Sequence, residues 1–169
     1  MRYTDDYKAL QQQLHAAGGY GLSGYKHAQQ ITDLARGFKT REVLDYGCGQ
    51  QTLQKAMPFA ITNYDPFIPG LDTEPAPHDI VVCSDVLEHI EPACLDHVLE
   101  HLRGLTKRVL FIDVATRPAV KKLADGRNAH LIQWEPEAWI VKLRASGLSL
   151  HSFQRYEGGF VGILKPRSE

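Results

Sequence analysis

Apolar residues recur at helical spacing near the start of the chain and in short continuous runs through its middle. Tyr7, Leu10, Leu14 and Ala17 fall three or four apart, which predicts a covering helix over 7–17 that Gly18 and Gly19 stop. Residues 18–24 hold too many glycines for a regular element and read either as a flap over a ligand or as a linker. Tyr25, Ala28, Ile31, Leu34 and Ala35 then share one side of a second helix. A strand is predicted over 42–45, a short helix over 51–57 ended by Pro58, and a second strand over 60–64. Ile80, Val81 and Val82 sit in a β-branched run over 79–84, the mark of a strand covered on both faces.

After that central strand, Pro92 suits the first turn of a helix whose apolar side is Cys94, Leu95, Val98, Leu99, Leu102 and Leu105. A further buried strand is predicted over 108–114, a short helix over 116–124 closed by Gly126, and a polar turn over 125–130. Pro136 opens a last helix with Trp139, Ile140 and Leu143 that stops at Gly147. Strands over 148–156 and 160–164, joined by Glu157, Gly158 and Gly159, form an antiparallel hairpin. Strands alternating with helices predict a doubly wound, Rossmann-like α/β sheet, mostly parallel with that reversed hairpin at its end.

Composition narrows the class. The chain has 169 residues, 43% of them hydrophobic, which suits one ordinary globular domain: 1–38 as helices and glycine segment, 39–169 as the core. Net charge is -1 with a pI near 6.7, so no overall basic field calls for nucleic acid or an anionic membrane. Cys48, Cys83 and Cys94 are odd in number and lie in or near apolar runs; they read as reduced thiols in a cytoplasmic protein. No apolar run reaches the roughly 18 residues of a membrane span, and the first residues carry no signal-peptide core.

The chemistry concentrates at 41–50. A strand ending in Asp45 passes at once to Gly47 and Gly49, the way a parallel strand hands over to a helix through a loop tight enough for a ligand to touch backbone. Asp65 follows Asp45 at the roughly 20-residue interval of a βαβ nucleotide unit, where its oxygens can accept both ribose hydroxyls. A nicotinamide or flavin dinucleotide needs a third glycine at position 52, and that residue is Thr52.

Together, Val43 to Gly49, Asp65 after the second strand, and Asp79 to His89 resemble the first, second and fourth motifs of class I S-adenosylmethionine-dependent methyltransferases. The reversed last strand resembles that family too. The resemblance implies a cofactor site of Asp45, Tyr46, Gly47, Cys48, Gly49 and Gln50, with the methionine end at Asp45, Gly47, Cys48 and Gly49. It further implies Asp65 on the ribose, Pro66 or Phe67 on the adenine, and Ser84, Asp85 and Val86 beneath the sulfonium. Gln50 and Gln51 depart from the family, standing where many members have a third glycine or small residue. The segment from Asp65 to Asp79 carries Pro66, Pro69, Pro75 and Pro77 and is too short for a helix and strand, so the third strand is expected to be missing and Asp72 is a candidate for reading the adenine.

Asp85, Glu88 and His89 lie at the carboxyl end of the central strand, where open α/β sheets place reacting groups. His89 is the candidate base, with Asp85 and His130 as catalytic partners, since a neutral imidazole accepts a proton near pH 7. The spacing also resembles the metal site of ubiquinone-type O-methyltransferases and small-RNA end methyltransferases, which implies a divalent metal on Glu88 and His89 as the less favoured alternative. Arg117, Lys121, Lys122 and Arg127 read as a basic cluster or a solvated face, and Trp134, Trp139 and Tyr156 as ring-stacking or core residues. The expected function is methyl transfer to an oxygen or nitrogen of a small-molecule or sugar-like acceptor. A nucleic-acid or protein methyltransferase is the second reading, and an inactive cofactor-binding module that regulates a partner the third.

Overall fold

The structure is a computed structural model and describes residues 1–167. Six strands form one sheet in the order β2-β1-β3-β4-β6-β5. The strands are β1 (Val43–Tyr46), β2 (Thr62–Tyr64), β3 (His78–Ser84), β4 (Thr106–Ala115), β5 (Leu148–Tyr156) and β6 (Gly159–Pro166). β1 runs parallel to β2 and β3, β3 parallel to β4, and β6 antiparallel to both β4 and β5. The chain therefore reverses its winding between β1 and β3, and a crevice opens there at the carboxyl ends of the strands.

Alternation along β3 divides the core. Val81 and Cys83 face one layer, with α4 (Leu95–Leu105) and α5 (Pro136–Ala145), while Ile80 and Val82 face the other, with α2 (Ala28–Phe38) and α3 (Thr52–Ala56). Covered on both faces, β3 is apolar throughout its middle, as its sequence predicts. Helix α1 (Asp5–Ala16) starts at Thr4, whose side chain accepts from the Tyr7 N–H, and Gly18 and Gly19 leave it at positive φ.

The missing third strand is borne out. The chain passes from β2 to β3 without a helix or strand between them, and β2 ends the sheet. The helix expected over 116–124 does not form. Pro118 brings no N–H, and the Asn128 side chain takes both the N–H and the C=O of Ala119, so the local backbone is held in an irregular loop closed by a bridge between Lys122 and Asn128. Among the described residues no helix is long and apolar enough to cross a membrane.

Candidate active site

The turn after β1 is fastened from below. The Gly47 and Cys48 N–H groups both donate to the Tyr64 carbonyl, at 2.7 and 3.1 Å, and the Gly49 N–H donates to the Asp65 carboxylate at 3.1 Å. The loop from β1 is thereby tied to the tip of β2. Gly47 and Gly49 have φ of 79° and 49°, a region that favours glycine, and a Cβ on Gly47 would run into the Val86 side chain.

A cavity open to solvent on one side lies above this loop. Of the twelve expected cofactor residues, Asp45, Tyr46, Gly47, Cys48, Gly49, Asp65, Pro66, Phe67, Ser84, Asp85 and Val86 line it. Gln50 does not; its N–H donates to the Gly21 carbonyl instead. Asp72 lies outside the cavity, in an exposed turn where its carboxylate accepts from the Gly70 N–H. Asp45 is buried and accepts no hydrogen bond among the described residues; burial, followed by the charge of Asp65, pushes its pKa up to about 7. Burial also raises Asp65, opposed by the N–H donors of Phe67 and Gly49.

The glycine segment between α1 and α2 sits on this cavity. Gly21 meets Gly49 backbone to backbone, the Ser23 hydroxyl donates to Asp85 at 2.9 Å, and Lys121 donates to the Gly18 carbonyl at 2.9 Å. Tyr20 stands edge-on to His89, with ring centroids 5.5 Å apart.

Past β3, Asp85 takes φ 59°, a left-handed conformation that its short polar side chain tolerates. His89 Nδ1 lies 2.8 Å from the Ala129 carbonyl, which can only accept, so Nδ1 carries the proton and Nε2 is the basic nitrogen. That Nε2 is 3.9 Å from Asp85, whose carboxylate is held below its usual range first by His89, against the cost of burial, and then by Ser23. His130 repeats the arrangement: Nδ1 donates to the Arg117 carbonyl at 2.6 Å, and its ring packs against His89 with centroids 4.7 Å apart. Asp85, His89 and His130 each bring one ligand atom to within 4.8 Å of the others.

Glu88 stays out of that group. It is fully buried, one oxygen accepts from the Ala115 N–H, the other has no partner among the described residues, and burial raises it well above its usual value. The basic residues do not converge: Arg127 pairs with Asp125, Arg117 packs on Gly158, and Lys121 holds the glycine segment. Trp139 is core, tilted against Trp134, and the Tyr156 hydroxyl donates to Asp113.

A further wall of the cavity comes from the first helix and the residues around it, a segment whose apolar spacing predicts only a covering helix. Arg2, Tyr3, Tyr7, Gln11, His15 and Tyr20 line it as well. The signal was the spacing of 3, 7, 11 and 15, one residue per helical turn, which mixes polar with aromatic side chains and so carries no plain apolar stripe.

Sheet order, reversed last strand, glycine turn and paired acids define a class I methyltransferase. A family model described as a methyltransferase domain matches residues 22–154, and the chain belongs to that family. No curated protein matches the sequence. Among solved structures, 1,6-didemethyltoxoflavin-N1-methyltransferase from Burkholderia thailandensis, with 1,6-didemethyltoxoflavin and S-adenosylhomocysteine bound, is 17% identical with a TM-score of 0.67, covering 99% of this chain and 92% of that one. A complex of DhpI with S-adenosylhomocysteine is 18% identical with a TM-score of 0.59 over 97% of this chain and 95% of that one. Magnesium protoporphyrin IX methyltransferase from Synechocystis PCC 6803, with S-adenosylmethionine bound, is 18% identical with a TM-score of 0.55, covering 85% of this chain and 79% of that one. At these identities the likeness is one of fold.

Proposed function

We propose that the chain transfers a methyl group from S-adenosylmethionine to an oxygen or nitrogen of a small-molecule acceptor, with His89 as the base. One observation carries the reading: the basic Nε2 of His89, its tautomer fixed by the Ala129 carbonyl, stands beside Asp85 in the wall of the cavity built by the glycine turn. The residues present fit the cofactor. Asp45 is a buried carboxylate with no partner, suited to the cofactor's ammonium, and Asp65 retains lone pairs for ribose hydroxyls. Gly47 and Gly49 keep the backbone open to it. When bound, the cofactor supplies a methyl group on a sulfonium, already an activated leaving group.

The chain's own residues then position the acceptor and take up a proton. An acceptor O–H or N–H gives its proton to His89 Nε2, and Asp85 stabilises the imidazolium. Tyr20 and Ser23 stand over the site, Tyr20 on the His89 ring and Ser23 on the Asp85 carboxylate. A concave site lined largely by aromatic and apolar side chains favours a small molecule over a polymer, and the enzyme of like fold bound to 1,6-didemethyltoxoflavin is an N1-methyltransferase.

A second reading rests on the three donors of Asp85, His89 and His130. Both histidines give their Nδ1 proton to a backbone carbonyl, the usual support of a metal-bound imidazole, and a divalent cation there would lower the pKa of an acceptor hydroxyl. Calorimetry with S-adenosylmethionine, followed by S-adenosylhomocysteine release across pools of hydroxyl and amine acceptors, tests these readings. Release that needs an acceptor and survives chelator supports the base; release lost to chelator and restored by Mg²⁺ supports the ion. Binding without release under any condition supports an inactive module, and absence of binding heat overturns the proposal.

A further inference from the structure

The family resemblance implies an adenine-reading acid on a strand and helix between the second strand and the central one, and among the described residues β2 passes to β3 with no such element. Something else must close that end of the cavity. The residues available there come from the opposite end of the sequence: Tyr3, Tyr7, Gln11 and His15, four apart, turn one side of α1 and its lead-in toward the cavity.

We infer that α1 and the residues just before it are part of the cofactor site, with Tyr3 and Tyr7 enclosing the adenine beside Phe67 and His15 standing over the ribose at Asp65. The assignment rests on the cofactor placement proposed above. Tyr3 and Tyr7 meet the Phe67 ring edge-on, with centroids 5.1 and 5.8 Å apart, so three aromatic rings gather at one end of the cavity. The Phe67 N–H donates to Asp65 at 3.0 Å, which fixes this cluster next to the ribose acid. A purine laid against such a cluster of rings is held by stacking and edge contacts that need no acid.

His15 supplies a second, independent observation. Its Nε2 is 4.0 Å from the Asp65 carboxylate, too far for a hydrogen bond, and its buried Nδ1 has no partner among the described residues. A buried imbalance of this kind is costly without a ligand, and ribose hydroxyls can both donate and accept. The lead-in is anchored well enough to serve. Arg2 donates to Tyr64 and to Glu74, and Thr4 donates to Glu91 through its N–H and its hydroxyl. The Tyr7 hydroxyl also donates to the His89 carbonyl, joining this wall to the turn that carries the base.

The test compares wild type, Tyr3→Ala, Tyr3→Phe and His15→Ala by calorimetry, with S-adenosylhomocysteine and with adenosine as probes. Tyr3→Ala and His15→Ala are each expected to raise Kd about tenfold for both probes, because the lost contacts lie on the nucleoside, and Tyr3→Phe to keep wild-type affinity. Wild-type affinity in both alanine variants overturns the assignment while leaving the cofactor placement intact. A wild type that binds neither probe overturns both. Should the alanine variants fail to fold, hydrogen exchange on the wild-type protein decides: amides of α1 are expected to slow when S-adenosylhomocysteine is added, and unchanged exchange there overturns the assignment.

Discussion

Gly21 and Gly49 touch through their backbones, so that a Cβ built on Gly49 would lie 2.7 Å from the Gly21 Cα and one on Gly21 would lie 2.9 Å from the Gly49 Cα. The glycine segment over 18–24 and the glycine turn after β1 thus share a contact that no side chain can enter. Both residues have positive φ, 69° and 49°. Gly49→Ala is expected to carry the roughly 1–2 kcal/mol of a left-handed alanine and to push the glycine segment off the turn, raising Kd for S-adenosylhomocysteine at least about tenfold. Gly37, inside α2 with open space around its Cα, is the control: Gly37→Ala should bind normally and gain roughly 0.5–1 kcal/mol in thermal melts.

His89 and Asp85 separate catalysis from binding. His89→Ala should lower the rate about a hundredfold, the lower end of general-base losses, because the sulfonium needs little further activation. Its Kd for S-adenosylmethionine should stay within about threefold of wild type. Asp85→Gly removes the carboxylate and also relieves a left-handed non-glycine residue at φ 59°. The expected result is a comparable loss of rate with a melting temperature equal to or above that of wild type. A fall in both rate and stability would show that Asp85 serves the fold.

Glu88, a metal candidate in the sequence, stands outside the group of donors formed by Asp85, His89 and His130. In the structure its one bonded oxygen accepts from the Ala115 N–H in β4, and its backbone carbonyl accepts from Ile132, so it clamps the turn after β3 to its neighbours. Glu88→Gln keeps the accepting oxygen and the shape, and should retain at least half the wild-type rate. Glu88→Ala leaves a buried N–H without its partner and a void besides, and should cost about 2 kcal/mol or more in denaturant unfolding.

These residues also mark how far the sequence could be read. β3, the glycine turn and the two acids were legible because each depends on neighbours in sequence: a β-branched run, a Gly-x-Gly after a strand, and an acid one βαβ interval on. The absent third strand was legible from four prolines. The loop over 116–135 was not, because Asn128 overrides the local helical pattern by capturing Ala119 from nine residues away. Nor was the placement of α1 against the cavity, since it brings Tyr7 to Phe67 and His15 to Asp65 across some fifty to sixty residues of chain, contacts no local pattern points to. Lys121 looked like part of a charge cluster, but its partner is the Gly18 carbonyl, which no spacing rule points to.

Asp45 should make cofactor binding depend on pH in the neutral range. Its pKa is pushed up to about 7 by burial, then by the charge of Asp65. Only the ionised carboxylate attracts the cofactor's ammonium. Affinity for S-adenosylhomocysteine should therefore be level above pH 7 and fall toward tenfold per unit below it, with protons released on binding near neutrality. Titration calorimetry from pH 5.5 to 8.5, in buffers of different ionisation enthalpy, reads both effects. The same shift predicts stability in the opposite sense. The folded pKa lies above the ordinary value of 3.8, so the carboxyl's favourable protonated state is intact below about pH 4 and is lost as pH rises through 7. Asp45→Asn, neutral at every pH, should thus melt higher than wild type at pH 8, by an amount on the order of a few kcal/mol, and bind S-adenosylhomocysteine at least about tenfold more weakly. Equal melting temperatures at pH 8 would mean that Asp45 is ionised without cost in the free protein, and the expected pH dependence of binding would fall with that result.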